Sequence, residues 1–302
     1  MLIVTNGLVQ TPDGLKLHPL LEPLRGDLLW RSRSWYAAPA HTPLSFTAWL
    51  AGRSPAALLA SGLNLPDSVQ QCWVASPFHA QLMRDRLQVM PEGIFPWRAD
   101  DAAALAALLN PLLAEEGMSL HAAGPAMILA CDKAIDASPA SFAEVSGNLL
   151  PNRHPDGVDG GRLMRLVAEL QMYLYRNPLL DRRSRGEPDV RGIWLWGRCS
   201  RDELSSAPMP VVATRSPSLS LVVDGRNAKL MVTEVEHLGE MLNPHTGLSD
   251  DVLVMGEGHA LWLRQTPFVA MLARLGRKRE AALPVRLPLG PAELLQAVRA
   301  HW

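Results

Sequence analysis

Aromatic side chains are few and unevenly chosen: five phenylalanines and three tyrosines in 302 residues, against nine tryptophans. Cysteine is scarcer still. Cys72, Cys131 and Cys199 are odd in number, far apart, and form no CxxC pair. That excludes a disulfide framework and a zinc-ribbon spacing, and leaves three reduced, buried thiols as the expectation. Charge is also low, at 20% of residues with a formal net of −1. A chain so balanced has no field to draw it onto nucleic acid or an anionic membrane, and neither partner is expected. No apolar run approaches the ~18 residues a membrane span needs. Met1 to Gly7 carries neither the basic nor the long apolar region of a secretory signal. A cytoplasmic location is the resulting expectation.

Proline and apolar residues are plentiful, at 25 residues and 48% of the chain. The prolines imply many short, firmly terminated elements. The apolar content suffices for a large core in one or two domains. Short apolar runs read as strands at Leu2 to Val4, Asp27 to Trp30, Cys72 to Ala75, Leu87 to Met90 and Ala126 to Ala130. Further strands are expected at Ile193 to Trp196, Pro210 to Thr214, Leu219 to Val223, Asp251 to Met255, His259 to Leu263 and Leu283 to Leu287. The run from Cys72 to Ala75 should stop at Ser76-Pro77, and the tryptophan run at Gly197. Helical patterns cover 44–50, 55–61, 100–116 with a kink at Pro111, 161–176, 232–242, 268–275 and 291–302. The alternation predicts a layered α/β fold with a largely parallel or mixed sheet and helices on both faces. Residues 151–161 read as a loop and mark the expected boundary. An N-terminal α/β lobe over 1–150 and a C-terminal one over 151–302 follow, as two domains or as lobes of one sheet.

Chemistry-bearing residues gather beyond that loop. Leu163, Val167, Leu170 and Leu174 define one face of a helix that also carries Glu169-Leu170-Gln171-Met172. Asn177-Pro178 ends it. Arg182 and Gly186 follow, then Ile193-Trp194-Leu195-Trp196-Gly197. Upstream stand Cys72-Trp73-Val74-Ala75-Ser76-Pro77-Phe78-His79, and Asn110 with Gly117. This set, spanning about 70–225, resembles the proteobacterial family related to cofactor-independent phosphoglycerate mutase, also called the regulator-of-pathogenicity-factor-E type.

The resemblance implies an alkaline-phosphatase-like fold. It also implies, for active relatives, two divalent ions held by Asp and His beside a Ser or Thr nucleophile. This chain departs from that pattern. Thr5-Asn6-Gly7 stands where a metal-binding Asp is implied, and a neutral Asn carbonyl is a weak ligand for a hard dication. Thr42-Pro43-Leu44 only echoes a nucleophile segment. Ala168, Tyr175, Leu180 and Arg191 replace polar residues of the implied signature, whereas its apolar positions remain. The fold is therefore expected to be kept in degenerate form, with catalytic residues unassigned.

The candidate ligand-binding residues are Arg182, Arg185, Trp194, Trp196, Glu169 and His79. Arginines clustered at 176–185 suit a phosphate or carboxylate through paired guanidinium contacts. Trp194 and Trp196 are expected on opposite faces of their strand, with one stacking on a ligand or both packed in the core. Glu169 can pair with Arg165 or Tyr173, and His79 follows a strand end. Glu234, Glu236, His237, His245, Asp250, Asp251, Glu257 and His259 are the densest metal-capable residues, yet show no metal-ligand spacing. Gly256 to His259 is expected to be a turn rather than a phosphate cradle. The chain thus reads as a non-catalytic mutase-like protein, without metal or cofactor, that binds a small anionic ligand or a protein partner in regulation. The competing expectation is a phosphomutase or phosphotransferase using Mn, Zn or Mg.

Overall fold

The computed structural model describes residues 1–11, 14–24, 32–40, 42–84, 86–91, 94–151, 153–204, 212–216, 219, 228–241, 250–264 and 288–301. The chain opens with β1 (Leu2–Asn6), β2 (Leu8–Thr11), β3 (Gly14–Leu17), β4 (Ser32–Ala37) and helix α1 (Pro43–Ala51). The middle segment holds α2 (Pro55–Ala60), β5 (Gln71–Phe78), β6 (Ala80–Met83), β7 (Arg86–Val89), α3 (Ala99–Ala114), β8 (Met118–Ala123) and β9 (Ala126–Cys131). It continues through α4 (Phe142–Val145), α5 (Gly160–Arg176), α6 (Leu180–Ser184), β10 (Gly192–Ser200) and α7 (Arg201–Leu204). The last segment contributes β11 (Ala213–Thr214), β12 (Leu230–Thr233), α8 (Val235–Met241), β13 (Asp251–Gly256), β14 (His259–Arg264) and α9 (Pro291–Arg299).

These elements form two compact units, divided otherwise than at 151–161. Met1–Gly52 joins Pro208–Trp302 in one unit, and Arg53–Ala207 is the other. The expected boundary loop lies inside the second unit. Local turn chemistry located the loop correctly but carries no information on which distant strands pair.

The first unit is built on a mixed sheet in the order β11-β12-β1-β13-β14-β4. β11, β12, β1 and β13 are paired in parallel; β14 runs against them, and β4, antiparallel to β14, runs with them again. Parallel strands are covered on both faces, which is why β1 reads as a continuous apolar run. Ile3, Val252, Val254, Leu261 and Leu263 pack with Val235 and Leu238 of α8 on one side. On the sheet, Tyr36 meets Trp262, which in turn meets His301 just beyond α9. The helix expected over 232–242 begins later, because Val232 pairs with Val4 in the parallel ladder. Among the described residues of that stretch, Val235–Met241 is helical. Gly256 to His259 is the turn of the β13–β14 hairpin. The expected elements at 27–30, 268–275 and 283–287 lie outside the described residues, as does most of 219–223.

The second unit holds a four-stranded antiparallel sheet in the order β10-β5-β9-β8. β5 runs through Pro77 instead of stopping before it. Its partner β9 pairs only with Gln71 to Val74, so Pro77 faces β10 alone and needs no second ladder bond. β10 likewise passes Gly197, with a register shift between Trp196 and Cys199. The two tryptophans share one face, contrary to expectation, since side chains two residues apart on a strand point the same way. A Cβ on Gly192, on that same face, would meet Gln171 of α5. Both faces are nevertheless covered, because Ile193 and Leu195 between them are also buried. Helix α3 contains Pro111 without ending there. Its N-terminus is held by Asp101, whose Oδ2 accepts from Arg98 N at 3.3 Å. Among the described residues no helix is long and apolar enough to cross a membrane.

Candidate functional site

The arginine cluster folds into an internal ion-pair network of the second unit. Arg182 on α6 is wholly buried. Its Nη1 donates to Asp101 Oδ2 at 2.7 Å, and its Nε and Nη2 donate to Pro188 O at 3.1 and 3.0 Å. The guanidinium also lies 4.7 Å from the Phe95 ring centre and 5.5 Å from that of Trp97. Asp101 takes a second cation, Arg185, at 2.5 Å. Arg185 shares Glu187 at 3.0 Å with Arg98, which contacts it at 2.6 Å. Arg183 grips Asp189 through two bonds of 2.9 Å, and Arg191 reaches the same carboxylate at 3.2 Å. His79 Nδ1 donates to Asp189 O at 2.8 Å, because a carbonyl can only accept. Arg182, Arg185 and His79 thus come together, around carboxylates of the chain itself.

The hydrogen bonds from Arg183 hold the Asp189 carboxyl below its usual range, against the opposing effect of burial. Arg185 does the same for Glu187. Because the folded-state values are depressed, their contribution to stability is complete above the ordinary carboxylate range. It is lost as pH falls through the lowered values. Urea midpoints measured from pH 7 down to pH 3 should therefore drop below about pH 4. Asp189→Asn should flatten that drop, and salt should weaken it, since Arg183 is half exposed. A midpoint independent of pH over that window would contradict the network.

A separate cavity of about 390 Å³ lies in the same unit, lined by Ser138, Ala140, Arg153, His154, Asp156 and Trp194, with three prolines. The loop forming its wall is pinned to the segment before α4. Ser138 N donates to Asp156 O at 2.7 Å, and Asp159 N to Asp136 O at 2.9 Å. Asp136 N in turn donates to Asp159 Oδ2 at 2.9 Å. Trp194 Nε1 donates to Ala140 O at 2.8 Å, and the indole is only 2% exposed. It forms a fixed floor rather than an open stacking platform. Arg153, His154 and Asp156 stand exposed at the rim. Among the described residues Arg153 has no ion-pair partner.

The other expected residues are placed elsewhere. Trp196 is buried, with Nε1 on Ser76 Oγ at 2.9 Å. Glu169 is exposed on α5 and, among the described residues, pairs with neither Arg165 nor Tyr173. Arg153, His154, Asp156 and Ser138 were not singled out from sequence. The available signal was the loop itself, Pro151 to Gly161, since loops on a rigid scaffold often carry binding groups.

In the first unit, the residues that the mutase resemblance implies for metal and nucleophile have other partners. Asn6 Oδ1 accepts from Val235 N at 2.8 Å and so caps α8. Thr42 caps α1 in a reciprocal box with Ser45. The metal-capable residues disperse: Asp250 holds the N-terminal amine at 2.8 Å, and Asp251 accepts from Trp262 Nε1 at 3.3 Å. His259 Nδ1 lies 3.0 Å from Glu257 O. Glu234 accepts from Ser216 Oγ at 2.5 Å and lies 3.4 Å from His237 Nδ1. His245 is outside the described residues. Among the described residues no three His, Cys, Asp or Glu side chains are grouped to hold an ion.

These features define an α/β protein with a mixed, largely parallel sheet in one unit and an antiparallel sheet in the other. No family model and no curated protein matches the chain. Among solved structures it is similar to the cofactor-independent phosphoglycerate mutase of Thermoplasma acidophilum. That match has 13% identity over 99% of this chain and 98% of the other, with a TM-score of 0.35. It is also similar to the PH0037 protein of Pyrococcus horikoshii, at 11% identity over 87% and 86% of the two chains, with a TM-score of 0.39.

Proposed function

We propose that this protein binds a small anionic ligand without converting it, on a degenerate scaffold of the alkaline-phosphatase type. Regulation is the role that fits such binding. The observation that carries the reading is the cavity beside Trp194, with Arg153 at its rim. A guanidinium with no carboxylate partner among the described residues can offer charge-assisted, two-point hydrogen bonds to a phosphate or carboxylate. The arginines at 182, 183 and 185 already have such partners within the chain.

The non-catalytic half of the proposal is supported by the donor set at the sheet of the first unit. Asn6 and Thr42 serve as helix caps. The described residues do not fit the pair of divalent ions that active relatives imply, so no step through a metal is derived. One feature favours the competing metal-dependent phosphotransfer. Glu234 Oε2 and His237 Nδ1 are buried 3.4 Å apart and, among the described residues, have no hydrogen-bond partner, a pair to which a cation would bring compensation.

Calorimetric titration of the full chain with inorganic phosphate and with 3-phosphoglycerate tests the proposal, with phosphate release followed with and without Mn²⁺. Binding that Arg153→Ala weakens by about tenfold or more supports it, that being the scale of one charge-assisted hydrogen bond. Binding that is indifferent to Arg153 sinks the assigned site. Mn²⁺-dependent turnover sinks the non-catalytic reading.

A further inference from the structure

Two of the three cysteines face each other directly. In the antiparallel pairing of β10 with β5, Cys199 is the register partner of Cys72. Residues directly opposite in such a pair have Cα atoms about 4.5–5.5 Å apart and side chains on one face, which lies within the span of a disulfide. Both thiols are buried, and each is felt electrostatically by the other. Cys131 is excluded from this pair. It lies opposite Gln71 on β9, so its side chain shares Gln71's face and points away from that of Cys72.

We infer that Cys72 and Cys199 form a covalent modification site, which a peroxide closes into an intramolecular disulfide that staples β10 to β5. In the first step one sulfur attacks a peroxide oxygen and the O–O bond breaks. The thiol proton and the departing hydroxide leave as water, and a sulfenic acid remains. The second sulfur then displaces the sulfenic hydroxyl, which departs with the second thiol proton as another water. The S–S bond forms, and the two electrons lost by the thiols have reduced the peroxide.

The native sheet restrains this reaction. The thiolate is the attacking species, and the neighbouring Cys72 thiol together with burial pushes the Cys199 thiol far up. β10 is nevertheless an edge strand whose ladder is already broken between Trp196 and Cys199. Opening of this edge admits peroxide, and reclosure brings the sulfurs together. The staple would tie down the strand that carries Trp194.

Full-length protein treated with hydrogen peroxide should become about two mass units lighter. Non-reducing peptide maps should join the peptides of Cys72 and Cys199. Sub-denaturing urea should raise the rate at least severalfold. Closing so long a loop should raise the unfolding midpoint by about 5 °C or more, reversibly with a reductant. Cys131→Ser should keep the product, and Cys199→Ser should abolish it. The map of the unmutated protein decides the matter even if Cys199→Ser fails to fold. A disulfide through Cys131 overturns the proposal. So does stepwise oxygen addition at Cys199, or thiols that stay reduced under urea while the fully unfolded chain oxidises.

Discussion

Arg182→Met is expected to lower the free energy of unfolding by about 3–5 kcal/mol, the range for removing one partner of a buried ion pair. Arg182 has no exposed surface, and Asp101 is 3% exposed. Without the guanidinium, Asp101 keeps Arg185 and the Arg98 amide but loses its closest buried cation. Pro188 O loses both of its Arg182 donors. Methionine fills much of the volume, so the loss reports charge and hydrogen bonding rather than a cavity. Adding Asp101→Asn should recover part of the loss, because it removes a buried carboxylate left with the partly exposed Arg185 as its cation. Denaturant unfolding of the two single variants and the double variant gives the coupling directly. A loss below about 1 kcal/mol would place Arg182 at the surface. That outcome would return it to the list of ligand-binding candidates.

Gly157→Ala should cost about 2–5 kcal/mol, combining backbone strain with overpacking. Gly157 has φ of +108°, a region that L side chains rarely adopt. Any Cβ there would also overlap the carbonyl oxygen of Asp136. Backbone cannot swing aside as a flexible side chain would, so the loop must lift from the segment that pins it. The bonds from Ser138 N and Asp159 N go with it. The same substitution should therefore weaken phosphate binding, whereas Arg182→Met should leave it unchanged. Differential scanning fluorimetry with and without phosphate separates the two effects. A stable Gly157→Ala protein with unaltered binding would show that the loop is not seated as described.

The strands at Leu2, Ala126, Asp251 and His259 were legible because continuous apolar runs and flanking turns are local signals. Pro43, Pro55 and Pro291 at helix starts were equally plain. β8 is not among the expected strands: Met118 to Ala123 is a short stretch that becomes a strand by pairing with β9. Val232 suits a helix by its local spacing, and only its parallel partner Val4 decides otherwise.

The site divides in the same way. From the sequence alone came the arginine-rich turn, the tryptophan strand and the loop of 151–161, each a contiguous pattern of residue types. Which arginine is engaged and which is open depended on Asp101, 81 residues from Arg182 along the chain. Which tryptophan floors a cavity depended on Ala140, 54 residues from Trp194. Local sequence sets backbone preference and burial tendency. Charge pairing and cavity shape arise only when distant segments are brought within a few ångströms. Only the tertiary structure therefore shows Arg182 held by Asp101 and Arg153 standing at the rim of the cavity.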